Sequence, residues 1–322
     1  MNFQPTEPFV AAPGLTNEHA QTIYANLVRP RHVPPLRRER RELPDGDFVD
    51  LDTFDGPTGA PHVVALHGLE SSSRAGYITA ILRGAAERGW GATALNFRSC
   101  SGEPNRLART YHSGHIDDAL GLLRDLRERA TGPLFAVGFS LGANVLCRLL
   151  EDQGEDAPVK AAASVSAPYD LDACCKKLDG PGPIHLVYRE RFLRTLKGKA
   201  RAKLKRFPNA FDGRAMEAAR TVRAFDHAVT APLHGFDSAE HYYAESSAGP
   251  RLHAIRKPTL LISAADDPML ESPVIPLAAK DNPHLSVVLT EHGGHVGFVA
   301  GRAHRPRFWA EDQVLEYFAT HR

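Results

Sequence analysis

The chain has 322 residues, of which 43% are hydrophobic, and its 39 Lys and Arg residues stand against 38 Asp and Glu residues. It is long enough to bury a large core, and its near-neutral charge gives no general attraction to nucleic acid or to an anionic surface. Its apolar runs fall well short of the roughly 18 residues that a membrane-spanning helix needs.

The N-terminal sequence and the cysteines predict the cellular compartment. Residues 1–8 contain neither the basic stretch nor the apolar core of a secretory signal. The four cysteines include no CxxC pair, so they suggest neither a disulfide framework nor a zinc site. We therefore expect a cytoplasmic protein without a bound metal, and we favour a monomer.

The first 45 residues are rich in Pro and Arg and contain one predicted helix. That helix covers residues 17–28, and either Thr16 or Asn17 can act as its N-cap. The charge run at residues 37–42 predicts a solvated strand or loop. Residues 48–52 alternate between apolar and polar side chains, as a half-exposed strand does.

From residue 61 onwards, short apolar runs alternate with helical patterns, which predicts a mostly parallel sheet with helices on both faces. The predicted strands are residues 63–66, 92–96, 133–137, 161–165, 259–263 and 285–289, and we expect the sixth to be the last strand of the chain. The predicted helices are residues 77–87, 115–129, 143–150 and 308–319.

Residues 170–250 interrupt this alternation, because they are helical, polar and basic and contain no convincing buried strand. We interpret them as a helical lid inserted over the carboxyl edge of the sheet, where ligands bind in open α/β folds. The whole chain, residues 1–322, is then a single domain that carries this insertion.

The strongest local charge bias lies in residues 189–206, from Arg189 to Arg206. Apolar side chains recur at helical spacing in this segment, at Leu193, Leu196, Ala200 and Leu204. The segment is interpreted either as a lid helix with a solvated basic face or as a helix that contacts an anionic membrane. No aromatic platform or binding motif accompanies the charge, so we expect no nucleic-acid partner.

A Gly-x-Ser-x-Gly motif at residues 138–142 lies between a predicted strand and a predicted helix. This is the context of a nucleophile elbow, in which a sharp turn pushes the serine hydroxyl out of the sheet. Gly138 and Gly142 allow the strand and helix backbones to approach closely. Ser140 is therefore the candidate nucleophile.

A serine nucleophile needs a histidine base and a carboxylate that orients this base, and after an elbow these follow in the order Asp or Glu, then His. His295 is the preferred base, because Gly293 and Gly294 before it allow an unusual loop conformation, whereas His292 reads as a loop residue. Asp267 is the preferred acid, with Asp266 as the alternative.

The oxyanion site needs two backbone N–H groups that point at one position. We assign these to Leu141, directly after the nucleophile, and to Leu69, in the loop after the strand at residues 63–66. His67 and Glu70 flank this second donor, and either can be read as a catalytic residue. We interpret His67 as a buried structural residue rather than a catalytic one.

Two polar stretches, residues 96–105 and 111–118, lie at a strand end and at a helix start. One interpretation is structural: Arg98 orders the loop through carboxylates, and Ser113 caps the helix. The alternative is that either stretch lines the substrate pocket.

Together these residues resemble the α/β-hydrolase superfamily and, within it, the YheT-like hydrolases, which are related to eukaryotic abhydrolase lipases. The resemblance implies the α/β-hydrolase fold and a Ser140–Asp267–His295 triad that acts on carboxylic esters without a metal or organic cofactor. Ser99 and Thr53 depart from the family pattern, which usually has Gly and an aromatic residue there. The matching stretches are residues 17–23, 43–48, 67–69, 96–105, 111–114, 138–142, 228–235, 266–268 and 292–295.

The leading hypothesis is a serine carboxylesterase or lipase-like enzyme that cleaves a small-molecule or lipid ester. Acyl transfer to an alcohol would use the same triad and differ only in the acceptor. A binding protein without activity on a hydrolase fold is the third hypothesis, and the Ser–Asp–His order argues against it.

Overall fold

The computed structural model describes residues 3–271, 275–302 and 304–322. The strands are β1 (Arg37–Glu42), β2 (Phe48–Phe54), β3 (His62–Leu66), β4 (Gly91–Asn96), β5 (Leu134–Phe139), β6 (Ala161–Val165), β7 (Thr259–Ala264), β8 (Leu285–Thr290), β9 (Val299–Arg302) and β10 (Arg305–Phe308). The α-helices are α1 (Glu18–Val28), α2 (Gly76–Glu87), α3 (Asp117–Arg129), α4 (Leu141–Gln153), α5 (Leu171–Leu178), α6 (Pro183–Arg206), α7 (Gly213–Ala218), α8 (Val222–Phe225), α9 (Ala231–His234), α10 (Ala239–Ser246) and α11 (Trp309–Ala319).

In this part of the chain, eight strands form one sheet in the order β1-β2-β4-β3-β5-β6-β7-β8. The pairs β1–β2 and β2–β4 are antiparallel, and the pairs from β4 to β8 are parallel. The prediction of a mostly parallel sheet is therefore confirmed. Because the parallel strands point the same way, the loops after β3, β5, β7 and β8 meet at one edge.

Helices cover both faces of the sheet because side chains alternate along each strand. Val64 and Leu66 of β3 point into a core that also contains residues of α3 and α4. Val63 and Ala65 point to the other face, into a core built with α2 and α11. The apolar strand patterns thus produce two separate cores, and the sheet between them is buried on both sides.

Local contacts account for two of the predicted elements, α1 and β1. Asn17 caps α1, since its side chain accepts hydrogen bonds from the N–H groups of His19 and Ala20. The charge run at residues 37–42 forms the edge strand β1, where Arg38 and Arg40 pair with the carboxylates of Asp52 and Asp50. Charged side chains on an edge strand protect it from pairing with other chains.

Three predictions about local structure are wrong. The strand predicted at residues 48–52 is not half-exposed, since β2 is buried at every residue from 48 to 53. Ser113 does not cap the helix predicted from residue 115, since α3 begins at Asp117 with Ile116 at the N-cap position. The Ser113 backbone instead bonds to side chains of Tyr242 and Asn144, which hold it outside the helix. The strand at residues 285–289 is also not the last, because β9 and β10 form an additional hairpin whose short, charged strands show no apolar alternation.

The segment between β6 and β7 is helical and contains α5 to α10. Its helices share an apolar cluster of their own, in which Leu193 and Ala200 are buried and Leu196 and Leu204 are partly buried. The apolar face of α6 therefore packs inside the protein. Several of its basic side chains are exposed, such as Arg191, Arg194 and Arg201, but Lys203 is buried and Lys199 is partly buried. A role of this segment as a lid stays a prediction. Among the described helices, none is long and apolar enough to cross a bilayer.

Candidate active site

Ser140 lies in the sharp turn between β5 and α4. Its φ of 52° and ψ of −122° place a non-glycine residue in a conformation that L-residues rarely adopt. A Cβ at Gly138 would collide with the Gly142 carbonyl, and a Cβ at Gly142 would lie 2.5 Å from the carbonyl oxygens of Leu66 and His67. The glycines of the motif are thus required by close backbone approach.

The structure brings Ser140, His295 and Asp267 together, although 155 residues separate the first two in sequence. His295 Nε2 lies 2.9 Å from Ser140 Oγ, and His295 Nδ1 lies 2.8 Å from Asp267 Oδ2. Because a carboxylate only accepts, Nδ1 carries the proton and Nε2 is free to accept the proton of the serine hydroxyl. The Asp267 side chain is fully buried, and 11% of the His295 side chain is exposed.

Asp266 and His292 lie beside this arrangement and do not join it. Asp266 accepts a hydrogen bond from the Gly294 N–H at 2.9 Å, and its second oxygen lies 3.3 Å from His292 Nδ1. The His292 side chain is 40% exposed. Asp266 therefore shapes the loop that carries His295, and His292 faces solvent.

The loop that carries His295 is held by helix α1 and by Arg29 at the C-cap of this helix. Thr22 Oγ1 accepts a hydrogen bond from the His295 N–H at 2.9 Å. Arg29 Nη2 donates to the carbonyls of Val296 at 2.6 Å and Gly297 at 2.9 Å. The Arg29 side chain forms a buried ion pair with Glu311 at 2.8 Å. Sequence reasoning assigned no role to Thr22 or Arg29, although residues 17–23 belong to the family resemblance.

The loop that carries Asp267 is held by Lys177 of α5. Lys177 Nζ donates to the carbonyl oxygens of Asp267 at 2.8 Å and Leu270 at 2.6 Å. Asp267 Oδ1 also accepts from the Met269 N–H at 2.8 Å. The segment between β6 and β7 thus contacts the backbone beside the candidate acid, and no local sequence pattern marks Lys177 for this task.

Leu69 and Leu141 line the same cavity as Ser140 and His295. A Cβ at Gly68 would lie 3.2 Å from Ser140 Cβ, which shows how closely the loop after β3 approaches the serine. For the residues that the structure describes, no protein acceptor binds the N–H of Leu69 or Leu141. Both N–H groups are therefore available to a ligand.

His67 is fully buried beneath this loop, as the sequence predicted. Its Nδ1 lies 2.7 Å from the Gly68 carbonyl, and its Nε2 accepts from the Phe97 N–H at 3.2 Å. Burial lowers the pKa of His67 to about 4, which keeps the ring neutral. His67 therefore has a structural role.

The cavity has an empty volume of about 1150 Å³, including its opening to solvent. Its walls come from the sheet edge and from α5, α6, α8 and α10, and most of the lining side chains are apolar. Arg98, Ser99 and Thr110 to Ser113 also contribute, so both polar stretches line the pocket. Arg98 in addition pairs with Asp118 at 2.7 Å and Asp45 at 2.7 Å, so the structural interpretation of this loop holds as well.

No group of three or more His, Cys, Asp or Glu side chains within the described ranges is arranged to hold a metal ion.

A half-buried carboxyl group, Asp226, lines the cavity wall. It accepts hydrogen bonds from Thr230 Oγ1 at 2.6 Å and Tyr243 Oη at 2.7 Å, and the structure gives it no ion pair with a cation in the described ranges. Burial raises the pKa of Asp226 from 3.8 to about 6. The folded state therefore binds more protons than the unfolded state between these two pH values, and stability falls as pH rises through this window.

Replacing Asp226 by Asn is expected to remove this loss of stability at higher pH. Its amide still accepts one hydrogen bond, and Tyr243 Oη can donate to Cys175 Sγ, 3.1 Å away. The melting temperature of the variant minus that of the unmodified protein should be roughly 3–6 °C larger at pH 8 than at pH 4. Thermal unfolding at both pH values measures this difference. If the difference is the same at pH 4 and pH 8, the Asp226 pKa does not affect stability in the way described.

Comparisons with known proteins identify the family of the chain. A family model described as the alpha/beta hydrolase fold matches residues 61–301. YheT of Escherichia coli (strain K12), which is named as an esterase, is 41% identical over 325 residues, covering 99% of this chain and 95% of that protein. Phospholipase ABHD3 of Mus musculus is 28% identical over 307 residues, covering 92% of this chain and 74% of that protein.

A solved structure shares the fold at lower identity. The Pyrococcus furiosus esterase Pf2001 superposes with a TM-score of 0.52 at 17% identity, covering 83% of this chain and 90% of that chain. The family match and the near full-length similarity to YheT show that this chain belongs to the α/β-hydrolase family, in its YheT-like group.

Proposed function

We propose that this protein is a serine hydrolase that cleaves carboxylic esters through an acyl-enzyme on Ser140. The observation that carries the proposal is the continuous hydrogen-bonded path from Ser140 Oγ through His295 to the buried Asp267, with links of 2.9 and 2.8 Å. A buried carboxylate holds the imidazole in the tautomer that accepts a proton, and it stabilises the imidazolium that then forms.

In the first half of the reaction, Ser140 Oγ attacks the ester carbonyl carbon while His295 Nε2 takes the hydroxyl proton. The negative charge that develops on the carbonyl oxygen is stabilised by the N–H groups of Leu69 and Leu141 and by the N-terminus of α4. The tetrahedral intermediate then expels the alcohol, which receives its proton from His295. Ser140 keeps the acyl group.

In the second half, His295 removes a proton from water as the water oxygen attacks the acyl carbon. Collapse of the second intermediate breaks the bond to Ser140 Oγ and releases a carboxylic acid, and the serine recovers its proton from His295. Each step uses side chains and backbone groups of this chain.

The apolar lining of the cavity favours an ester with an apolar acyl or alcohol part, because removing such a group from water is favourable by about 25 cal/mol per Å². Similarity to a protein named as a phospholipase supports a lipid ester as one substrate class. A small aryl or alkyl ester is the other.

Labelling with a fluorophosphonate probe tests the proposal. The probe phosphorus reacts only with a serine oxygen that an adjacent base has activated, so we expect one equivalent of label on the peptide that contains Ser140. A His295→Asn variant, which lacks the base, should label at least about a hundredfold more slowly. Folded protein that stays unlabelled, or carries the label on another serine, would contradict the proposed role of Ser140.

A further inference from the structure

An ion pair between α6 and the loop after β3 lies in the wall of the same cavity. Lys199 Nζ lies 2.8 Å from Glu70 Oε1, and both residues line the cavity with Ser140. The Glu70 side chain is only 4% exposed and the Lys199 side chain 30%. Moving two charges out of water costs several kcal/mol per ion, so such a pair is weak evidence for a role in stability.

Glu70 directly follows Leu69 and has an unusual backbone conformation. Its φ of 52° is rare for a residue with a side chain. Its N–H donates to Tyr111 Oη at 2.8 Å, and Tyr111 in turn donates to Glu70 Oε1 at 2.9 Å. Backbone and side chain of Glu70 are therefore tied to one hydroxyl, and Lys199 binds the carboxylate oxygen that closes this ring.

Tyr111 is itself a rigid anchor. Its ring stacks on Phe97 with centroids 5.2 Å apart and planes 6° apart, and it packs edge-on against His67 at 6.5 Å. The residue is buried. Glu70 is therefore held by a side chain that is packed in the core, not by a mobile one.

The geometry of the peptide unit connects these contacts to the Leu69 N–H. This N–H shares a planar unit with the Gly68 carbonyl, so the two groups point in opposite directions. His67 Nδ1 holds that carbonyl from below at 2.7 Å. Glu70 fixes the other side of Leu69. The direction of the Leu69 N–H is thus set between His67 and Glu70.

We propose that Lys199 is a positioning residue that acts through Glu70 to hold the Leu69 N–H toward the developing oxyanion. This inference rests on the proposed function, since it concerns the oxyanion site of that reaction. It also gives the helical segment between β6 and β7 a part in assembling the site, because Lys199 belongs to α6.

Loss of the Lys199 ammonium leaves the Glu70 carboxylate facing an apolar cavity without a cation. A carboxylate in such surroundings turns toward water or takes up a proton. Turning away breaks the ring with Tyr111, and protonation weakens the hydrogen bond that Tyr111 donates, so in both cases the strained backbone of Glu70 relaxes. The resulting rotation of the Leu69 N–H affects the charged transition state far more than the neutral substrate. We therefore expect kcat to fall while KM changes little.

The central experiment measures hydrolysis of p-nitrophenyl butyrate by Lys199→Met. Removing one oxyanion donor outright costs about 10²–10³ in kcat, so displacing one is expected to cost roughly 10–100-fold, with KM changed less than about threefold. The Lys199→Arg variant, which keeps the cation, should recover most of the loss. Affinity for a trifluoromethyl ketone, whose adduct with the serine carries an oxyanion, should fall in parallel with kcat/KM.

A double-mutant cycle tests whether Lys199 acts through Glu70. Glu70→Gln is expected to lower kcat by itself, and adding Lys199→Met to it should lower kcat by less than about twofold more. Losses that multiply in the double variant would overturn the proposed route. Glu70→Gln keeps the side-chain shape, so it supplies the test if Lys199→Met fails to fold.

Two controls separate this inference from the proposed function. Lys160→Met changes an exposed lysine at the opposite edge of the sheet and should match the unmodified protein. If Ser140→Ala is inactive but Lys199→Met keeps the kcat of the unmodified protein, the positioning role is wrong and the proposed function stands. If Ser140→Ala is fully active, the proposed function itself is wrong.

Discussion

Replacing Ser140 by Ala is expected to lower kcat for p-nitrophenyl butyrate by about 10⁴–10⁶-fold, with the folded structure unchanged. The serine oxygen forms the covalent bond to the acyl group, and alanine has no atom that can replace it. The remaining oxyanion donors and the binding cavity still favour attack by water, so a small residual rate above the uncatalysed reaction is expected.

The variant is suited to this test because the Ser140 side chain has few structural duties. The Ser140 hydroxyl bonds to His295, and the backbone of the turn is held by the hydrogen bond from the Ser140 N–H to the Val165 carbonyl at 2.9 Å. Alanine tolerates the same backbone conformation about as well as serine does. The melting temperature should therefore stay within about 2 °C. Turnover by a folded variant at more than about 1% of the original rate would contradict the nucleophile assignment.

Replacing Asp267 by Asn is expected to lower kcat by about 10⁴-fold, whereas Asp266→Asn should cost less than about tenfold. An amide at position 267 can donate to His295 Nδ1, which places the ring proton on Nε2. In that tautomer Nε2 faces Ser140 Oγ with a proton and cannot accept another. The base is then lost although the side chains keep their positions.

The two adjacent aspartates form a matched pair, since the same change is made one residue apart in one loop. Asp266 bonds to the Gly294 N–H and contacts His292, so its replacement loosens the loop without changing the His295 tautomer. Steady-state kinetics of both variants at pH 7–8, with melting temperatures as the folding control, provide the comparison. A larger loss for Asp266→Asn would reverse the assignment of the acid.

The turn that carries Ser140 was predictable because its requirements are local. Within five residues, Gly138 and Gly142 permit the close backbone approach, and the apolar runs on either side specify the strand and the helix that create the turn. The parallel sheet was predictable for a related reason, since each buried strand appears as a short apolar run. Because such features depend on residues that are close in sequence, the pattern of residue types predicts them.

The choice between Asp266 and Asp267 was open in the sequence, because both residues lie in one strand-end turn and either could face the histidine. Only the path of the loop decides that Asp267 points inward to His295 Nδ1 and that Asp266 points to Gly294. Ser113 shows the same limit. Its N–H donates to Tyr242 Oη and its carbonyl accepts from Asn144 Nδ2, and these bonds keep it out of the helix that its sequence context favours.

The sequence by itself determined the fold class and the order in which the candidate serine, acid and histidine follow their strands. It also identified Ser140 and His295 as candidates. The tertiary structure alone decided how these residues are held. Thr22 and Arg29 support the histidine loop from α1, Lys177 supports the loop of Asp267, and Lys199 reaches Glu70 across 129 residues. These contacts join segments distant in sequence, and a lysine or threonine on a helix surface has the same local pattern whether it faces solvent or a catalytic loop.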